Sequence, residues 1–135
     1  MTSKSEAPYF SIIISTRDRP ELFQIALQSV LKQSFSNKEV VVVIDGSDPA
    51  NLLQYEALEE EFNEITFFKL EHRSIGHGQS YAMNYGVHKS CGQYLCFLDD
   101  DDHWTDTEYL ERVFASLSSS SESVDVHYSN RKSVV

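Results

Sequence analysis

The sequence predicts an α/β fold in which a mostly parallel, Rossmann-like sheet of about five strands carries helices on both faces. Two patterns predict it. Short continuous apolar runs, rich in valine and isoleucine, are typical of strands that are buried on both faces. Segments with apolar residues at helical spacing alternate with these runs, and this alternation favours parallel strands joined by crossover helices. The chain has 135 residues, the length of one small domain.

The first half of the chain contains two strand–helix units. Residues 10–14 (FSIII) and 40–44 (VVVVI) are the predicted strands. A proline opens the helix predicted over residues 20–32, at a position where its missing N–H costs no hydrogen bond. Asp48 followed by a second proline predicts a capped helix over residues 49–62.

The second half of the chain continues this alternation. We predict, in order, a strand at residues 65–70, a helix at 79–89, a strand at 94–98, a helix at 109–117 and a strand at 124–128. Thr105 and Glu108 have the spacing of a capping box, which predicts the start of the last helix. The predicted organisation is a polar tail at 1–8, one domain at 9–129 and a C-terminal end at 130–135.

Composition excludes several classes of function. The chain has 21 acidic and 11 basic side chains and a net charge of −10, which argues against nucleic-acid binding and against docking on anionic membranes. A nucleotide ligand is still compatible with this negative charge, because a bound cation can neutralise the phosphates. No apolar stretch approaches the ~20 residues of a membrane span, and no secretory leader is visible. Cys91 and Cys96 are expected to be free thiols, which favours a cytoplasmic location.

An acidic run is the most informative motif. Four aspartates at residues 99–102 directly follow the predicted strand at 94–98. In open parallel sheets, ligands bind beyond the carboxyl ends of the strands. Clustered carboxylates repel one another, and Mg²⁺ or Mn²⁺ with its preference for oxygen ligands removes that cost. On charge alone, a solvated loop that caps the next helix explains the run better; the position of the run at a strand's carboxyl end, with Asp45 at another, favours a metal or nucleotide site.

A second carboxylate follows the second strand. Asp45 precedes Gly46, whose freedom to turn leaves the Asp45 side chain at the sheet edge. Such a carboxylate can accept hydrogen bonds from a base N–H or a ribose hydroxyl. The alternative is a strand-ending turn in which Asp45 bonds its own backbone. The motifs of dinucleotide-binding folds, of P-loops and of α/β-hydrolases are absent from the sequence.

Four blocks together resemble a known family. They are SIIISTRDRP, EVVVVIDGSD, AMNYG and CGQYLCFLDDDDHW, in this order along the chain. Over residues 9–128 the chain is similar to the family 2 glycosyltransferases of GT-A fold, and it resembles their nucleotide-sugar-binding half. The resemblance implies an enzyme that transfers a sugar from a nucleotide diphosphate, with a UDP-sugar as the expected donor. The acceptor would be a saccharide or another hydroxyl compound, and family membership favours inversion.

The same resemblance implies roles for individual residues. The expected donor-binding residues are Thr16, Arg17, Asp18, Arg19, Asp45, Asn84, Asp99 and Asp100. Asp101, with Asp99, is the expected ligand of a divalent cation, Mn²⁺ or Mg²⁺. The cation acts as a Lewis acid on the departing diphosphate. Where many relatives have aspartate, arginine and asparagine, this chain has Ile44, Met83 and Asp18, which bears on donor identity.

The catalytic base is not assigned to any residue, because in the family it lies in the second half of a longer domain. We therefore expect the chain to be the truncated donor half of a larger unit, cytoplasmic or peripheral to the inner face of the membrane, with an apolar face available for self-association. The alternatives are a nucleotide-binding module without catalysis, a signalling receiver domain and a nucleotidyltransferase. The acidic run follows the wrong strand for a receiver, and a nucleotidyltransferase would need a glycine-rich basic loop after the first strand.

Overall fold

The computed structural model describes residues 7–119 as one sheet with helices. The strands are β1 (Phe10–Thr16), β2 (Lys38–Ile44), β3 (Thr66–Lys69) and β4 (Tyr94–Asp99). The helices are α1 (Pro20–Leu31), α2 (Pro49–Glu61), α3 (Gln79–Lys89) and α4 (Tyr109–Ser118). The described strands are parallel and lie in the order β3-β2-β1-β4. The predicted α/β fold is confirmed, and the strand predicted at 124–128 lies outside the described residues.

The positions of β1 and β2 at the centre of the sheet explain why the first two predicted strands are continuous apolar runs. Every residue of β1 is buried, and the last five residues of β2 are buried as well. A strand that is covered on both faces has apolar side chains on both, so its sequence is a continuous apolar run and does not alternate between apolar and polar residues. Both strands extend beyond the predicted ranges, β1 as far as the buried Thr16.

Helices cover both faces of the sheet. The main core lies on one face, where α1, α2 and α4 bury their apolar residues against the strands; it includes Phe23, Leu27, Tyr55, Leu110, Ile12, Val42 and Leu98. Helix α3 packs on the opposite face against β1 and β2, with Gly86 placed over Ile13 and Val43. On the outer strand β4 the side chains of Leu95 and Phe97 remain exposed. No helix within residues 7–119 combines the length and the apolar character that crossing a membrane requires.

The helix starts agree with the sequence in two cases and differ in a third. Proline opens α1 and α2, and the Asp48 carboxylate caps α2 by accepting the N–H of Asn51 at 2.9 Å. The capping box predicted for Thr105 and Glu108 is wrong: α4 begins after Glu108 without a side-chain cap bond.

A tertiary contact takes the place of that capping box. The side chain of Gln33, just beyond α1, accepts the N–H of Leu110 at 3.0 Å and donates to the carbonyl of Asp106 at 2.6 Å. Asp106 in turn accepts the N–H of Glu108 at 3.0 Å. The start of α4 is thus fixed from a segment 77 residues away, which local sequence patterns do not reveal.

Candidate functional site

A cavity opens at the carboxyl edge of the sheet, where the strand register brings three strand ends together. Thr16 stands opposite Ile44, and Ser15 stands opposite Asp99. The cavity has a volume of about 440 Å³. It is lined by Ser15, Thr16, Arg17, Arg19, Asp45, Ile75, Gly78, Gln79, Asp99, Asp100 and Asp101.

The acidic turn, residues 99–102, borders this cavity, and its first three residues line it. Carboxylate oxygens of Asp99, Asp101 and Asp102 lie within 4.8 Å of one another. A Mg²⁺ ion with ligands at about 2.1 Å holds them about 3 to 4 Å apart, so these oxygens fit the shell of such a cation after a small adjustment. Asp99 also accepts a hydrogen bond from the side-chain amide of Gln79 at 2.9 Å, which orients it from α3.

Asp100 differs from its neighbours in the acidic turn, because it is buried and already paired. Arg19 binds it in a bidentate manner, with Nη2 2.8 Å from Oδ1 and Nε 3.0 Å from Oδ2. A bidentate pair of this kind combines the attraction between opposite charges with two parallel hydrogen bonds, which fix the relative orientation of the two side chains. The carboxylate raises the pKa of the Arg19 guanidinium, chiefly through direct charge attraction. This pair connects the segment after β1 to the turn after β4.

Two hydroxyl groups complete the surroundings of Asp100. Thr16 donates from its Oγ1 to Oδ2 of Asp100 at 2.8 Å. The hydroxyl of Tyr55, on α2, lies 2.6 Å from the Thr16 Oγ1 and accepts the backbone N–H of Arg19 at 3.2 Å. Burial raises the pKa of Tyr55, so the phenol keeps its proton at neutral pH. The sequence does not indicate that Tyr55 belongs to the site, because the residue only occupies an apolar position of a predicted helix.

Asp45 closes the opposite wall of the cavity. Its carboxylate is buried and accepts the backbone N–H groups of His77 at 2.7 Å and Gly78 at 3.0 Å. Gly76 makes this approach possible: its φ is +72°, and a Cβ there would lie 2.7 Å from the Arg17 Cδ and 2.9 Å from Oδ2 of Asp45. The loop before α3 is therefore fastened to the strand end by the carboxylate. A carboxylate offers about four acceptor positions, so Asp45 keeps capacity for a ligand donor.

The charges of the lining favour a ligand that brings a cation. Four carboxylates and two guanidinium groups line the cavity, and the Arg19–Asp100 pair neutralises one of each. The surplus negative charge repels an anion such as a diphosphate unless a cation lies between them. The cluster of Asp99, Asp101 and Asp102 offers oxygen ligands for that cation.

Seven of the predicted site residues meet in the cavity: Thr16, Arg17, Arg19, Asp45, Asp99, Asp100 and Asp101. Two others are elsewhere. Asn84 lies on the exposed side of α3, and Asp18 points toward the start of α2, where its Oδ1 accepts the N–H of Asp48 at 2.8 Å. Sequence reasoning did not single out Gln79 and Ile75, since neither carries a chemical motif.

Comparison with known proteins gives consistent matches. A family model described as "Glycosyl transferase family 2" matches residues 11–133. AmsB of Erwinia amylovora, named as an amylovoran biosynthesis glycosyltransferase, is 32% identical over 97 residues, which cover 70% of this chain and 31% of AmsB. A GalNAc(5)-diNAcBac-PP-undecaprenol beta-1,3-glucosyltransferase of Campylobacter jejuni is 28% identical over 95 residues, covering 70% of this chain and 30% of that protein.

Solved structures agree with these relatives. TarS 1–349 of S. aureus in complex with UDP matches with a TM-score of 0.68 and 29% identity, over 81% of this chain and 32% of the TarS 1–349 chain. The same chain in complex with UDP-GlcNAc matches with a TM-score of 0.66 and 30% identity, over 81% of this chain and 31% of the TarS 1–349 chain. The chain thus spans about a third of the length of these two relatives and of the TarS 1–349 chain.

Proposed function

The chain belongs to glycosyl transferase family 2 and has the GT-A fold, and from this premise we propose that it is the nucleotide-sugar-binding half of a glycosyltransferase. The donor binds in the cavity at the carboxyl edge of the sheet, together with a divalent cation. The whole protein transfers the sugar to a hydroxyl group of a saccharide or a similar acceptor, with inversion.

One observation carries this proposal: three carboxylates of the acidic turn lie together, and two of them, those of Asp99 and Asp101, line a cavity that Arg17 and Asp45 also line. The donor set is all oxygen, which fits Mg²⁺ or Mn²⁺. The acidic turn follows β4, and Asp45 follows β2, so both stand at the carboxyl edge of the same sheet. A bridging diphosphate therefore has anchors on both sides of the cavity.

Each wall has a chemical task in this arrangement. Asp45 accepts a hydrogen bond from the base, and Arg17 with the neighbouring backbone holds the nucleotide along the segment after β1. Asp101 and Asp99 hold the cation on the diphosphate. The bound cation supplies Lewis-acid stabilisation of the diphosphate as it departs. A UDP-sugar is the proposed donor, and the TarS complexes with UDP and UDP-GlcNAc support it.

Roles for Asp18 and Asn84 in donor binding stay predictions, since neither lines the cavity. A cytoplasmic location is proposed from the two free cysteines. No residue of the chain is proposed as the base that deprotonates the acceptor. Donor binding and turnover therefore need separate measurements. If the chain binds the donor but catalyses neither its hydrolysis nor sugar transfer, it is a nucleotide-binding module without catalysis.

The test of donor binding is the melting temperature of the chain with UDP, with Mn²⁺, and with both. Ligand at about 100 times its dissociation constant adds about 2.7 kcal/mol to the free energy of unfolding, which raises the melting temperature by several degrees. We expect this rise only when UDP and Mn²⁺ are both present. The variant Asp101→Asn removes the negative charge of one cation ligand and should abolish most of this rise.

Asp106→Asn is the matched control. Oδ2 of Asp101 lies 3.7 Å from Nη1 of Arg19, and Asp106 is likewise an aspartate beside an arginine, Arg112, but it lies outside the cavity. This variant should retain the full shift with UDP and Mn²⁺. An unchanged melting temperature of the wild type with every nucleoside diphosphate at millimolar concentration and with Mn²⁺ would contradict the proposal.

A further inference from the structure

A chain of hydrogen bonds connects the core of the molecule to the acidic turn. We call it the Tyr55 network, and its members are Tyr55, Thr16, Asp100 and Arg19. Tyr55 and Thr16 are buried, as is Asp100, whose side chain is 4% exposed. The members come from α2, from the end of β1 and the residues that follow it, and from the turn after β4. None of the expected roles at the site involves Tyr55.

The proton positions in the Tyr55 network are determined by its chemistry. Asp100 is a carboxylate that only accepts, so the Thr16 hydroxyl donates to it. Having spent its one proton, Thr16 must accept from Tyr55. Tyr55 then has free lone pairs for the backbone N–H of Arg19. Every hydroxyl proton has one assigned acceptor, and such ordered chains polarise and strengthen one another.

The Tyr55 network takes up most acceptor positions of the Asp100 carboxylate, which distinguishes Asp100 from the aspartates on either side of it. Its two oxygens receive one hydroxyl and two guanidinium N–H donors, three of about four acceptor positions. The carboxylates that converge on a common point within the described residues are those of Asp99, Asp101 and Asp102. The carboxylate of Asp100 thus pairs with Arg19 and Thr16, while the carboxylates of Asp99 and Asp101 lie close to each other.

We propose that Asp100 is a positioning residue, held by Thr16, Tyr55 and Arg19, that fixes the acidic turn so that Asp99 and Asp101 converge on one cation. This inference rests on the proposed function, since it presumes the cation site. It changes the role of Thr16, Arg19 and Asp100 from contacts to the donor into supports of the metal ligands. Groups that orient metal ligands in this way typically alter metal affinity about 10- to 100-fold when they are removed.

The experiment measures Mn²⁺ affinity by electron paramagnetic resonance, on the full chain in the presence of saturating UDP. Thr16→Val is nearly isosteric and removes only the hydroxyl, and Tyr55→Phe keeps the buried ring. We expect each variant to raise the Mn²⁺ dissociation constant about 10-fold. Thr16→Ser restores the hydroxyl and should remain within about 2-fold of the wild type. A role limited to folding would lower the melting temperature and leave the affinity of the folded protein unchanged.

A second readout separates a positioning residue from a ligand. Loss of a direct ligand lets one more water bind the ion, which pulsed electron resonance of Mn²⁺ detects. We expect Asp101→Ala to add a water and Asp100→Ala to add none, because alanine, unlike asparagine, offers no oxygen to the ion. The double variant of Thr16→Val and Asp100→Asn should bind Mn²⁺ no more weakly than Asp100→Asn alone, because Thr16 acts through Asp100.

Wild-type Mn²⁺ affinity in both Thr16→Val and Tyr55→Phe would overturn the inference, as would an additional water in Asp100→Ala. If Thr16→Val does not fold, Tyr55→Phe carries the test alone, and wild-type Mn²⁺ affinity in Tyr55→Phe then overturns the inference. Arg19 is unsuitable for this purpose, because its Nη1 also lies 3.7 Å from Oδ2 of Asp101. Absence of Mn²⁺ binding in the wild type would instead overturn the proposed cation site, and the positioning role with it.

Discussion

At the scale of single residues, Asp18 shows how a polar side chain next to the site can serve the backbone. Its φ of +58° lies in the left-handed region, which among residues other than glycine is entered mainly by aspartate and asparagine. Its N–H donates to Ser47 Oγ at 3.0 Å, while its Oδ1 accepts from Asp48 and, at 3.4 Å, from the Asn51 amide. Asp18 thereby joins the segment after β1 to the start of α2.

This assignment predicts a difference between two substitutions of Asp18. Asp18→Ala loses the acceptor and enters the left-handed region at a cost, so the free energy of unfolding should fall by about 1 to 2 kcal/mol. Asp18→Asn keeps an acceptor oxygen and a residue type suited to that backbone, so the loss should stay below about 0.5 kcal/mol. Urea unfolding measures both. Equal stability of Asp18→Ala and the wild type would show that these bonds contribute nothing.

At the scale of elements, α3 approaches the sheet closely because one of its residues lacks a side chain. A Cβ on Gly86 would lie 2.6 Å from Cγ2 of Ile13 and 3.3 Å from Cγ2 of Val43. Both partners are buried and β-branched, so their methyl groups have little freedom to move away. The closeness matters for the site, since Gln79 at the start of α3 holds Asp99.

We therefore expect Gly86→Ala to destabilise the protein, although alanine is the better helix former. Overpacking costs about 1 to 3 kcal/mol and the gain in helix propensity is at most about 1 kcal/mol, so a net loss of about 1 to 2 kcal/mol is expected. Chemical denaturation measures it. His88→Ala is the control on the same helix, because His88 is exposed and should tolerate the change. A more stable Gly86→Ala would mean that α3 can move outward freely.

At the scale of the whole molecule, ionisable groups with raised pKa values contribute to the response of stability to alkaline pH. Burial raises the pKa of Cys96 to about 11, and burial is also the main cause of the raised pKa values of Tyr55 and Tyr9. The folded state thus holds these protons when the unfolded state has already released them. The resulting stability is complete below the unfolded pKa values and is lost as the pH rises through the folded ones.

For Cys96 this window runs from pH 9 to about 11, and its share is about 2 to 3 kcal/mol. We expect the free energy of unfolding to fall across this window, and to fall less in Cys96→Val, which has no thiol to ionise. Lys38, whose pKa is lowered by burial, acts in the opposite sense in both proteins, so the difference between them isolates Cys96. Parallel pH curves for the two proteins would contradict this reasoning.

The order of strands and helices was predictable because it depends on local patterns. Continuous apolar runs revealed β1 and β2, and proline positions revealed the starts of α1 and α2. The same patterns failed at α4, where the predicted cap is replaced by Gln33 from a distant segment. Local rules succeed where the stabilising partner is a near neighbour in the chain.

The sequence alone determined that the chain is an α/β domain and that Asp45 and the acidic run lie at the carboxyl ends of strands. Those facts follow from residue types and from the single geometry that parallel strands share. Only the tertiary structure decided that Asp100 turns inward to Arg19, 81 residues away, while Asp99, Asp101 and Asp102 converge. The reason is that burial and pairing depend on side chains brought together by the fold, and four identical residues in a row carry no signal of which one is buried.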